Sequence, residues 1–113
     1  MRKAKVYLFG KAAGILKESD EGYSFQYLQS YLDSPDSLPV SLLFPLQKKT
    51  YKDKVLFPFF DGLIPEGWLL EIAETNWKLD GRDRMGLLLA CCRDTIGAAS
   101  IVEMRDAEEG APV

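Results

Sequence analysis

The sequence predicts an α+β domain, a mainly antiparallel sheet with helices packed on one face. Two observations point to strands and one to helices. Tyr23, Phe25 and Tyr27 alternate with Ser24, Gln26 and Leu28, a period of two that suits a pleated strand. Short apolar runs precede them, broken by turn residues, and a last run, AASIVEM, occupies 98–104. Between residues 55 and 93 the apolar spacing becomes helical. Strands first, helices next and a closing strand argue for segregated rather than alternating elements.

Residues 3–9 and 13–18 read as two strands joined around Gly10-Lys11, and 23–28 follows the Asp20-Glu21-Gly22 turn. Together they make an antiparallel meander. Residues 29–33 lead into the loop Ser34-Pro35-Asp36-Ser37. Residues 38–45 read as a strand bracketed by Pro39 and Pro45, placed at an edge or flanked by irregular backbone because proline lacks a ladder donor. Residues 47–54 form a basic, exposed connection in which Lys48, Lys49, Lys52 and Lys54 are solvated. A short helix or turn over 55–63 carries Phe57, Phe59 and Phe60, read as core. Pro65 suits a first helical position and Glu66 the first turn, where the helix dipole favours an acid, so a helix is predicted over 65–78. Another runs from 82 to 93 with Asp80 as N-cap. One domain over 1–105 and a flexible acidic tail over 106–113 complete the expectation.

Composition narrows the function. The 113 residues contain no histidine, so imidazole bases, Ser-His-Asp triads and histidine metal ligands are excluded. No enzyme activity, cofactor or metal is expected. Residues 1–60 carry nine Lys/Arg against six Asp/Glu, whereas 61–113 carry five against eleven. Neither half has a dense basic patch, so direct nucleic-acid binding is not indicated. Cys91 and Cys92 are adjacent, without spaced partners, and read as reduced, buried residues of a cytoplasmic protein. The run from Val6 to Phe9 is too short for a signal-peptide core, and no stretch approaches the ~18 apolar residues of a membrane span.

Fragments that imitate kinase motifs do not assemble into one. Phe60-Asp61-Gly62 has the wrong order for a metal-binding Asp-Phe-Gly turn, and Cys92-Arg93-Asp94 lacks the later asparagine of a catalytic loop. Glu71 and Glu74 share a helical face and read as solvated acids. Trp68 is more informative. Leu69, Leu70, Ile72, Ala73 and Trp77 share the apolar arc of the expected helix, and Trp68 lies roughly 110° from its centre. A tryptophan at the margin of a buried face, beside acids, is either an interface anchor or a cap on Phe59 or Phe60.

Three ordered motifs resemble the N-terminal subdomain of HipA-type toxin kinases: LPVSLLFPLQ at 38–47, FFDGLIPEG at 59–67 and RDTIGA at 93–98. Gly14-x-Leu16 and Phe25-x-Tyr27 extend the likeness over 5–104. Val40, Phe44, Cys92 and Trp68 depart from the family pattern. The resemblance implies a HipA N-terminal subdomain-like fold. It also implies a free-standing version of the subdomain, as in the antitoxins of tripartite HipBST systems. The expected partners are then a separate HipT-like serine/threonine kinase and a HipB-like DNA-binding protein. The expected interface is Trp68 with Asp61, Pro65, Glu66 and Gly67. The alternative is a structural N-terminal fragment of a HipA-type kinase without activity of its own.

Overall fold

The computed structural model describes residues 2–64, 83–91 and 99–104, the side chain of Cys91 excepted. The helix expected over 65–78, the Asp80 cap, Cys92, the 93–98 motif and the 106–113 tail lie outside these residues.

Five strands form one sheet: β1 (Lys3–Leu8), β2 (Lys11–Ser19), β3 (Gly22–Tyr27), β4 (Tyr51–Asp53) and β5 (Ala99–Met104). Their spatial order is β4-β3-β2-β1-β5, antiparallel at every pairing. The described helices are α1 (Gln29–Leu32), α2 (Pro58–Asp61) and α3 (Arg84–Cys91). The expected α+β class with an antiparallel sheet is thus observed, and the meander of the first three strands is as expected.

Leu8 pairs with Lys11, so β1 and β2 are joined by Phe9 and Gly10 alone. Both are left-handed, with φ of 50° and 79°. Two positive φ angles give a two-residue turn whose twist matches that of the strands. Glycine meets that demand without cost, but phenylalanine does not.

Pairing then slips: Val6 faces Gly14 while Tyr7 faces Ala12, which leaves Ala13 as the extra residue of a bulge. Ala13 and Gly14 are consequently both buried despite being neighbours. At Gly14 a Cβ would stand 2.6 Å from the Gln26 carbonyl oxygen and 2.7 Å from the Phe25 ring. The ring of Phe25 lies where a side chain would otherwise be.

The covered face of the sheet presents Ala4, Val6, Leu8, Leu16, Phe25, Tyr27, Ala99 and Ile101. Met85, Leu87 and Leu88 of α3 and Phe57 and Phe60 at α2 join them in one core. Phe25 is its hub, with ring centroids 5.0 Å from Tyr27, 5.1 Å from Phe44 and 5.5 Å from Phe60.

Two segments differ from expectation. Residues 38–45 are not a strand but an irregular loop. The prolines at 39 and 45 remove two ladder donors, and the buried residues are Val40 and Phe44, four apart rather than alternating. Within the connection expected over 47–54, Tyr51–Asp53 instead pairs with β3 as the edge strand β4. Its exposed Lys52 and Asp53 suit an edge, where charge discourages pairing with other chains.

The loop backbone is held by tyrosines instead of a ladder. The Tyr27 hydroxyl accepts the Val40 N–H at 3.0 Å and donates to the Phe44 carbonyl. Tyr31 donates to the Leu38 carbonyl at 2.6 Å, and Tyr51 to the Pro45 carbonyl at 2.5 Å. Burial pushes the Tyr27 hydroxyl up to about 12.

Candidate partner interface

Of the five residues singled out from sequence, Asp61 is within the described structure, whereas Pro65, Glu66, Gly67 and Trp68 lie outside it. The segment that leads to them is set by α2. Pro58 opens this helix where a missing N–H costs nothing. The N–H groups of Asp61 and Gly62 return to the carbonyls of Phe57 and Pro58. Leu63 and Ile64 then bond back to Phe60 and Asp61, continuing the coil by one tight turn. Phe57, Phe60 and Ile64 are buried and Phe59 is half-buried, so three apolar anchors fix the chain immediately before Pro65. The reading of the phenylalanines as core is correct for this segment.

Asp61 faces α3, where its carboxylate accepts from Arg84 Nε at 2.5 Å. Both side chains remain partly exposed, at 42% and 36%. Such a solvent-screened pair contributes about 0.2–1 kcal/mol. It orients Asp61 without locking it.

Arg84 is positioned in turn by the start of α3. Asp83 Oδ1 accepts the Gly86 N–H at 3.1 Å, the reach of an N-cap to the third helical residue. Asp83 therefore fills the capping role within the described residues. Arg2 clamps it: Nη1 and Nη2 meet the two Asp83 oxygens at 2.7 Å each, while Nε and Nη2 meet Glu18 at 2.6 and 2.8 Å. One guanidinium thus joins the chain start, the end of β2 and the head of α3. Sequence alone does not single out Arg2, because its partners are sixteen and eighty-one residues away.

The Arg2 hydrogen bonds hold the Asp83 carboxyl below its ordinary value of 3.8, against the opposing effect of burial. A depressed carboxyl stabilises the fold above its unfolded pKa, and that stability is lost as pH falls through the folded value. Arg2→Met is expected to cost about 1–2 kcal/mol near neutral pH, because two carboxylates lose charge-assisted bonds while staying partly hydrated. The gap to wild type should close as pH falls below the ordinary carboxyl value of 3.8 in urea titrations. A gap that stays constant with pH would assign the loss to packing rather than charge.

Among the described residues the geometry offers a contact surface: an aromatic-backed turn, an orientable carboxylate and a clamped helix start. A family model described as HipA N-terminal domain matches residues 4–102. A Haemophilus influenzae protein of uncharacterized function is 34% identical over 103 residues, covering 91% of this chain and 93% of that protein. A solved structure, the N-terminal domain of HipA toxin, superposes with a TM-score of 0.70 at 30% identity, covering 94% of this chain and 95% of that one.

Proposed function

This chain belongs to the HipA N-terminal domain family, and from that premise we propose that it is a non-catalytic, HipS-like antitoxin. In this reading it binds and inhibits a separate HipT-like serine/threonine kinase in the cytoplasm. A HipB-like DNA-binding protein completes the tripartite toxin–antitoxin complex. The observation that carries the reading is the span of the Haemophilus influenzae relative. It is matched over 93% of its own length, so there the domain makes up nearly a whole protein.

The proposed contact is the segment of the sequence that begins at Asp61 and continues through Trp68. Trp68 serves as its central anchor, because a large aromatic that loses water on docking supplies much of an interface's affinity. Asp61, together with Glu66 five residues on in the sequence, faces cationic groups that otherwise serve phosphates. Releasing Asp61 from its exposed pair with Arg84 costs little, so a partner's cation can compete for it.

Co-purification with the products of adjacent genes, followed by kinase assays with and without this protein, tests the function. Inhibition by the purified chain is the expected result, and undiminished kinase activity at saturating binding would reject it. Trp68→Ala is expected to weaken binding by at least ~2 kcal/mol and to lose growth rescue. Rescue equal to wild type would remove Trp68 from the anchor role.

A further inference from the structure

Resting on that reading, we propose a second docking surface on this chain: the loop over 38–46, with Phe9 beside it, seats on an apolar patch with an acidic rim on the same kinase. Four leucines of this loop face solvent, Leu42 at 95%, Leu43 at 63%, Leu38 at 56% and Leu46 at 38%. Pro39 and Pro45 are exposed with them. Isolated exposed leucines are ordinary, but four in nine residues form a patch.

The patch is also built rather than loose. Val40 and Phe44 sink into the core, and the hydroxyls of Tyr27, Tyr31 and Tyr51 hold the intervening backbone at Leu38, Val40, Phe44 and Pro45. A surface held in one shape loses little entropy on docking, which favours a partner of fixed shape. A bilayer makes no such demand.

Phe9 is an independent sign. It occupies a left-handed position that disfavours a phenylalanine, and its side chain is 71% exposed. Asparagine is the residue this turn prefers in that place. Backbone strain that gains no burial in return is typical of binding sites. Phe9 and Leu38 line one shallow cleft with Lys11, Tyr31 and Asp36, so the two apolar features are neighbours.

Charge bears on the occupant. From 36 to 53 the chain holds Lys48, Lys49 and Lys52 against Asp36 and Asp53, a net positive charge. All three lysines are exposed. The complementary surface is therefore apolar at its centre and acidic at its edge.

The test is the affinity of the intact chain for the kinase by calorimetry, for wild type, the double variant Leu42→Asp/Leu43→Asp, and Phe9→Asn. The double variant should bind at least about tenfold more weakly with an unchanged circular dichroism spectrum. Phe9→Asn should bind about threefold or more weakly while melting at a higher temperature, since it relaxes the turn. A gain in stability with a loss of affinity is not an outcome of misfolding. Lys48→Glu/Lys49→Glu should lose affinity mainly at low salt.

Wild-type affinity in the leucine and Phe9 variants would overturn this surface and leave the antitoxin reading standing. Failure of the wild type to bind the kinase at all would overturn that reading, and this inference with it. Leucine-dependent capture by phosphatidylglycerol vesicles, or leucine-dependent dimerisation, without an effect on kinase affinity would assign the patch to another occupant and reject the kinase.

Discussion

Phe25→Ala is expected to remove about 3–5 kcal/mol of folding stability, a large part of the ~5–15 kcal/mol available to a domain of this size. The ring is fully buried and meets Tyr27, Phe44, Tyr51 and Phe60. These neighbours belong to β3, β4, α2 and the 38–46 loop, so no single element can move in to close the cavity. Gly14 lies directly beneath the ring, and the space above a glycine cannot be filled from below. Urea denaturation followed by circular dichroism measures the loss. Phe25→Leu should recover part of it by restoring volume without the aromatic edges. A loss under about 1 kcal/mol for alanine, with an unchanged denaturant slope, would show that the site collapses and that Phe25 is not the hub.

Tyr27→Phe removes one oxygen and should cost about 2–4 kcal/mol. That oxygen satisfies two buried backbone groups, the Val40 N–H and the Phe44 carbonyl, and no water route replaces it in a residue only 3% exposed. The effect also has a signature in pH. Burial raises the hydroxyl from 10.0 to about 12 in the folded protein. A raised pKa contributes stability below the unfolded value and loses it as pH rises through the folded one. Wild type should therefore lose its advantage over Tyr27→Phe between about pH 10 and pH 12. Tyr23 and Tyr51 are also raised by burial, so only the difference between the two proteins isolates Tyr27. A constant difference across that window would mean that the hydroxyl is not held neutral by its surroundings.

The sheet was legible where one residue in two is apolar, as in β3, and where turns are marked by glycine. The loop over 38–46 was not. Its apolar residues are interrupted only by Ser41, and such a run does not reveal which members go inward. Only the tertiary positions of three tyrosines decide that Val40 and Phe44 do so while the leucines stay out. β4 was hidden for a related reason: three residues with two exposed charges have no period to read, and the register comes from β3. At the candidate interface, Asp61 is named from its motif alone. Its link to Arg84 was not legible, because a pairing across twenty-three residues depends on how α2 meets α3. The Arg2 clamp was invisible on the same ground.

The pairing of β1 with β5 has a kinetic consequence. Lys3 lies opposite Met104, so the first of these five strands to be synthesised waits for the fifth. The early hairpins can form locally in microseconds, yet one edge of β1 stays open until residues 99–104 leave the ribosome. During that interval the nascent chain presents Val6 and Leu8 on an unpaired strand, a template for other chains. The large separation of the two strands in sequence makes this closure the step expected to be slowest in folding. Any protein that caps the free edge of β1 during synthesis would raise the yield of folded chain without touching its final stability.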